Sequence, residues 1–374
     1  MKTSQRRVPF FNYPALFEKH EEEYLSILRG VMRRGAYILQ KDLREFEESL
    51  ARYLGVKHVF GVADGSNALT IALLASGVQR GDEVIVPSHT FIASPAAIHW
   101  IGAVPVLADC LPDKMIDPRS VEALVTAKTR AIMPVQLNGR TADMDALQAI
   151  ADKHKLLLVE DAAQALGSRF KDRFAGTFGA AGTFSFYPAK LLGCFGDGGA
   201  VVTNDDRVAA RIFMLRDHGR DPEGIVRQWG MNSRLDNVQA ALLTHKLKSF
   251  EPEIQRRRAI ASLYHERLHG LSQLLLPPSP TADPSHFDVY QNYEIEADRR
   301  DGLRAHLDRC GVSTIIQWSG QPVHQLEALG FRERPPYTEA MFKRCFLLPM
   351  NTTLSDDDVS YVCDGIHAYY GTHG

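Results

Sequence analysis

From about residue 56 the chain alternates short apolar runs with longer segments of helical period. The runs are "HVFGV" (58–62), "EVIVP" (83–87), "VPVLA" (104–108), "RAIMPV" (130–135) and "LLLVED" (156–161). Between them, "SNALTIALLASGV", "SPAAIHWIGA", "SVEALVTA" and "DALQAIADKHK" repeat apolar residues at helical spacing. Strands apolar on both faces belong to parallel sheets covered by helices. The pattern therefore predicts an open α/β sheet of doubly wound type. Ligands of such sheets bind beyond the carboxyl ends of the strands.

The texture changes after Asn232. "NVQAALLTHKLKSF" and "EPEIQRRRAIASLYHERLHG" predict two long helices with a break at Pro252, and Arg256, Arg257 and Arg258 read as a solvated helix face. "LPPSPTADPS" (276–285) predicts a loop. Beyond it, "FDVYQNYEIEA" predicts a strand, "RDGLRAHLDRCG" a helix ending at Gly311, and "VSTIIQW" another strand. This βαβ-like remainder divides the chain into a large domain, 1–248, and a smaller C-terminal α/β domain, 249–374. No internal repeat or low-complexity stretch interrupts it.

Composition narrows the class. The chain has 374 residues and a net charge of −2, which gives no electrostatic reason to expect nucleic acid. Its five cysteines are widely spaced with no CxxC pair, and no HExxH occurs, so neither a disulfide framework nor a metal site is indicated. Reduced thiols suit a cytoplasmic protein. The start, "MKTSQRRVPFFNYPALF", is interrupted by Asn12 and Pro14 and lacks a cleavage site, which argues against a signal peptide. No run is long enough for a membrane span.

Three strand ends carry the chemistry. In "GVADGSNALTIAL", Gly61 and Gly65 flank a turn, and Ser66 and Asn67 open a helix whose free amides suit a phosphate; Ser66 also reads as a simple N-cap. In "LLLVEDAAQALGS" a buried strand delivers Asp161, with Gln164 three residues on; a helix-capping aspartate is the plainer reading. In "GTFSFYPAKLLGCFGDGGAVVTND", Ser185 and Lys190 end a third strand, and the turn Gly196–Gly199 brings backbone near whatever Lys190 reaches. A lysine desolvated among Phe186, Tyr187 and Phe195 has a lowered pKa and becomes a nucleophile. A phosphate cradle, a lone acid and a lysine together are the protein groups that pyridoxal phosphate needs, and an aromatic such as Phe91 in "PSHTFIAS" would cover its ring. Neither GxGxxG after the first strand nor GxxxxGK[ST] is present.

These blocks resemble the DegT/DnrJ/EryC1/StrS family of sugar aminotransferases, of fold type I. The resemblance runs from "RGAYILQKDLREFEESLARYLGVKHVFGVADGSNAL" through "GDEVIVPSHTFIAS", "VEDAAQALGS", "FSFYPAKLLGCFGDGGA", "LRDHGR" and "GMNSRLDNVQAAL" to "FLLPMNTTLSDDDV". It implies that Lys190 links covalently to pyridoxal 5'-phosphate and that Asp161 partners the pyridine nitrogen. Gln164 would lie near the ring hydroxyl, Phe91 would stack, and Ser66, Asn67 and Ser185 would hold the phosphate. It further implies a homodimer with shared sites, Asn232 reaching the neighbouring subunit's phosphate. Arg234, Tyr187 and His324 are the substrate-binding candidates, Arg234 for the donor's carboxylate. "PVQLNGR" stands where many members carry a histidine-containing stretch, so Gln136 and Asn138 are expected to shape the pocket differently.

The implied activity is amination of a nucleotide-linked ketosugar with L-glutamate as donor. "GDGG" with "FYPAK" leans towards a C3 ketone. The alternatives are a sugar dehydratase, which the retained lysine disfavours, or an aminotransferase of another keto compound such as an 8-oxo octulosonate. A non-catalytic sensor on the same scaffold is a further class, but no basic helix-turn-helix is evident.

Overall fold

The computed structural model describes residues 6–373. In chain order its strands are β1 (His58–Val62), β2 (Glu83–Pro87), β3 (Val104–Ala108), β4 (Thr129–Ile132), β5 (Leu157–Asp161), β6 (Arg169–Phe170) and β7 (Arg173–Phe174). They continue with β8 (Ala181–Ser185), β9 (Gly199–Thr203), β10 (Leu274–Leu275), β11 (His286–Phe287), β12 (Tyr293–Ala297) and β13 (Cys345–Leu348). The central sheet has seven strands in the order β1-β9-β8-β5-β4-β2-β3. All neighbours run parallel except β9, which is antiparallel to both β1 and β8. The reason lies in the connection: β8 and β9 are joined by a loop with no crossover helix, and a parallel return needs a crossover. The expected mostly parallel α/β sheet flanked by helices is thus present.

Helices seal both faces. One apolar core gathers Leu69, Ile71, Leu73, Val84, Ile85, Ile98, Ile132 and Val159, and a second gathers Leu43, Phe46, Leu50, Phe184, Phe186 and Leu243. The carboxyl ends of β1, β2, β5 and β8 and the amino end of β9 lie along one edge, because Val62 and Ser185 both pair with Gly199. A third core, including Tyr264, Tyr293, Ile295, Leu303, Phe346 and Val362, surrounds the antiparallel sheet β10-β12-β13. Val8 joins that third core and bridges to Val312, so the start of the chain packs against its C-terminal part.

Four local expectations are corrected. The break between the two long helices falls at Lys248 and Ser249, and Pro252 sits in the first turn of the helix Phe250–Leu268. Proline costs nothing there, since first-turn N–H groups lack intrahelical acceptors. "VSTIIQW" makes only isolated bridges, Val312 to Val8 and Ile315 to Leu347, before left-handed backbone at Trp318 (φ 53°) and Ser319 (φ 55°) turns the chain out of the strand direction. The small sheet is accordingly antiparallel, not βαβ. "FDVYQNYEIEA" is split at Tyr290 (φ 50°), and Gln291 is freed to hold a loop described below.

The arginines 256–258 are not a wet face either. Arg257 Nη1 donates to the carbonyls of Tyr290, Gln291 and Met350 at 3.1, 3.2 and 3.1 Å. Arg258 donates to Asp288 and Pro280 carbonyls, and Arg256 to Asp356 and the Leu354 carbonyl. Irregular segments have no ladder partners for their carbonyls, so they recruit side-chain donors. Helical periodicity cannot register that demand.

Candidate active site

The helix Gly65–Ser76 starts immediately beyond β1. Asp64, not Ser66, caps it: Asp64 Oδ1 accepts from Asn67 N at 2.8 Å, and Asn67 Nδ2 donates to Oδ2 at 2.5 Å. Ser66 is left exposed beside N–H groups with no intrahelical acceptor. Space here is reserved for backbone. A Cβ on Gly65 would lie 2.8 Å from Ser185 Cβ, and one on Gly199 would lie 2.5 Å from the Asp64 carbonyl oxygen. The glycine turn 196–199 therefore closes on the helix start and Ser185 rather than on Lys190. The result is a small anion-sized cradle at a helix N-terminus.

Asp161 ends β5 and is buried. Its Oδ2 accepts from Ser94 Oγ at 2.7 Å and its Oδ1 from Ala163 N at 3.1 Å. Burial raises its pKa, against the pull of Ser94, Ala163 N and the nearby charge of Lys190. A carboxylate this desolvated calls for a cationic or N–H partner at its open edge. Ser94, which also pairs with Thr90 Oγ1 at 2.7 Å, was absent from the sequence-derived set. It reads there as one more small residue of "SPAAIHW", and only the order of the strands brings it to Asp161.

Gln164 follows on a turn. Its Oε1 accepts from Asn138 N at 2.8 Å and Asn292 Nδ2 at 3.4 Å. Asn138, at φ 56°, donates through Nδ2 to Glu294 Oε2 at 2.8 Å, while its Oδ1 accepts from Asn292 and Gln317. Glu294 Oε2 also meets His89 Nε2 at 2.9 Å, with both side chains buried. Burial raises the Glu294 pKa, but His89, Lys114 and Asn138 prevail and hold it at about 2. Gln136, expected beside Asn138 at the pocket, instead turns into the core and donates to Glu160 at 2.9 Å.

Lys190 lies in the loop after β8, partly buried. Leu191 N donates to Gln291 Oε1 at 2.8 Å, Gln291 Nε2 to the Ala189 carbonyl at 2.6 Å, and Lys246 Nζ to the Gly193 carbonyl at 2.6 Å. The loop is thereby fixed while Lys190 Nζ makes no hydrogen bond or ion pair among the described residues. Burial lowers its pKa to about 8, with Asp161 opposing. The aromatic surround expected from sequence is different: Phe186 faces inward against Phe46, and Phe195 covers Lys246 at 4.3 Å. Tyr187 is half exposed beside the lysine.

Phe91 is exposed, its ring 5.4 Å from that of Trp318. His324, expected to bind substrate, is corrected to a buried position behind the 88–91 turn. Its Nδ1 meets Ser88 Oγ at 2.6 Å and its Nε2 lies 3.4 Å from Glu339. Nor does one chain bring Asn232 and Arg234 to Lys190. Asn232 is exposed and makes no side-chain hydrogen bond among the described residues. Arg234 Nη1 holds Asp217 at 3.1 Å, with its buried Nε unpartnered. No helix among the described residues is long and apolar enough to cross a membrane.

The chain is similar to known proteins along most of its length. The chain is 40% identical over 369 residues to the dTDP-3-amino-3,4,6-trideoxy-alpha-D-glucose transaminase of Streptomyces venezuelae, covering 97% of this chain and 96% of that one. It is 36% identical over 337 residues to the UDP-2-acetamido-2-deoxy-3-oxo-D-glucuronate aminotransferase of Pseudomonas aeruginosa, covering 90% and 93%. The crystal structure of S. venezuelae DesV superposes with a TM-score of 0.93 at 40% identity, over 97% of this chain and 98% of that one. The model of the DegT/DnrJ/EryC1/StrS aminotransferase family matches residues 18–367, and the chain is a member of that family of pyridoxal-phosphate-dependent sugar aminotransferases.

Proposed function

We propose that the protein transfers an amino group from L-glutamate to the ketone of a nucleotide-linked sugar, at C3. The observation that carries this reading is the meeting of the desolvated, unpaired Lys190 with buried, serine-supported Asp161, beside the glycine-lined helix start. The residues fit pyridoxal phosphate. Ser66, Asn67, Ser185 and the free amides of the helix would hold its phosphate, Asp161 its pyridine nitrogen, Gln164 its hydroxyl, and Phe91 its ring face. When bound, the cofactor carries the amino group between substrates and supplies an electron sink.

The protein's own part is positional and acid–base. Ser94 and Ala163 N fix the Asp161 carboxylate and help keep it ionised. Asn138 occupies Gln164 Oε1, which orients the amide and leaves Nε2 to donate. Lys190, held by burial at a pKa of about 8, would serve as the base that takes a proton from the donor's Cα and, once protonated, as the acid that gives it back. The names of the two relatives, both bearing position 3, support the C3 assignment by analogy.

A homodimer completes the site. The hairpin after Asp217 exposes Ile225, Val226 and Trp229, the last 96% exposed, next to the unengaged Asn232 and the unpartnered Arg234 Nε. An apolar, exposed hairpin with idle polar groups suits a partner subunit, and a two-fold arrangement makes the exchange reciprocal. Two experiments test this. A panel of nucleotide-linked 3- and 4-ketosugars, assayed with glutamate, should give turnover with a 3-ketosugar; none with any ketosugar refutes the activity. Mixing Lys190→Ala with the double variant Asn232→Ala, Arg234→Ala should restore activity, and no recovery despite proven subunit exchange refutes shared sites.

A further inference from the structure

A second cluster of chemistry lies outside the active site, where the chain start meets the end of the helix Asn237–Leu247. His20 is the N-cap of the helix Glu21–Arg34, Glu23 lies in that helix's first turn, and His245 lies in the last turn of Asn237–Leu247. Glu23 Oε2 is 2.8 Å from His20 Nδ1 and 3.2 Å from His245 Nε2. One ligand atom from each of the three residues lies within 4.8 Å of the others. Two imidazole nitrogens and a carboxylate oxygen thus converge on one point from two helices.

We propose that His20, Glu23 and His245 form a zinc-binding site. Two imidazoles and one carboxylate, with water in the fourth position, are a tetrahedral donor set that zinc accepts. The ion would take the place of the hydrogen bonds that now join the two imidazole nitrogens to Glu23 Oε2. Its place in the fold gives it a consequence. His20 and His245 line a cleft of about 160 Å³ that also borders the Lys190 loop, and Lys246, next to His245, donates to the Gly193 carbonyl of that loop. A bound ion would staple the helix Glu21–Arg34 to the support of the Lys190 loop.

The test uses chelator-washed, cofactor-loaded full-length protein, titrated with zinc chloride in competition with a chromophoric chelator. Wild type should bind one zinc ion per chain, and His245→Ala and Glu23→Gln should each lose it, with circular dichroism and bound-cofactor absorbance unchanged. His99→Ala, in the last turn of a different helix, should retain it. Cobalt substitution gives a second reading: the strong visible bands of four-coordinate Co²⁺ should appear in wild type and vanish in His20→Ala. No stoichiometric zinc in wild type, or undiminished zinc in the His245 and Glu23 variants, overturns the proposal; the latter would mark adventitious binding to other histidines.

Discussion

The lowered basicity of Lys190 can be tested without any cofactor chemistry. Its pKa is about 8 because burial disfavours the charged form, the Asp161 carboxylate acting in the opposite sense. At about pH 7.5 an ordinary lysine is neutral in roughly 0.1% of molecules, whereas one of pKa about 8 is neutral in about a quarter, a ratio of about 200. The less basic amine is also the weaker nucleophile. With a Brønsted slope of about 0.4–0.5, as for thiols, the net gain falls to roughly 10- to 20-fold. The assay is brief labelling of cofactor-free protein with an amine-reactive aryl sulfonate across pH, with occupancy read by peptide mass spectrometry. Lys190 should titrate with a midpoint near 8 and outpace the exposed Lys128 at neutral pH. Asp161→Asn removes the charge that raises the lysine pKa, so the midpoint should fall further. A midpoint near that of a free lysine in folded protein would refute the desolvation argument, and an upward move in Asp161→Asn would refute the coupling.

Ser94→Ala removes the hydroxyl donor to Asp161 Oδ2; at about 1.5–3 kcal/mol for a hydrogen bond to a charged group, turnover should fall about 10- to 100-fold with cofactor still bound. Recovery in Ser94→Thr would assign the loss to the hydroxyl, and an unchanged kcat would remove Ser94 from the site. Gly199→Ala forces a Cβ to within 2.5 Å of the Asp64 carbonyl oxygen. It should cost about 1–3 kcal/mol and lower Tm by several degrees in thermal melts, and an equal Tm would mean the turn is slack. Glu294 has its pKa depressed to about 2, so its stabilisation is present above the unfolded value of about 4.3 and fades as pH falls towards 2. Wild type should therefore lose more unfolding free energy than Glu294→Gln between about pH 5 and pH 3 in urea titrations, and parallel losses would show that the His89 pair contributes nothing.

The elements of the sheet were legible because their code is local. A run such as "EVIVP" is apolar on both faces, which marks a strand covered on both sides, and the strand is buried from Val84 to Pro87. Asp161, Lys190, Ser185 and the glycine at 65 stood out as candidates for a related reason: Asp161 and Ser185 are the last residues of strands, Gly65 and Lys190 lie a few residues beyond strand ends, and strand ends are where such sheets bind. By itself, the sequence thus determined the α/β class, the family through its ordered blocks, and the groups fit for pyridoxal phosphate. What it could not carry is adjacency between distant segments. Ser94 meets Asp161, Asn138 meets Gln164 and Glu294, and Arg257 meets three carbonyls only because strand order and the small sheet bring them together. His324 and Gln136 are buried with partners of their own for the same cause, since burial depends on what packs over a side chain and not on its neighbours in the chain. Tertiary structure decided these pairings, because a buried polar group must find its partner wherever the fold places one.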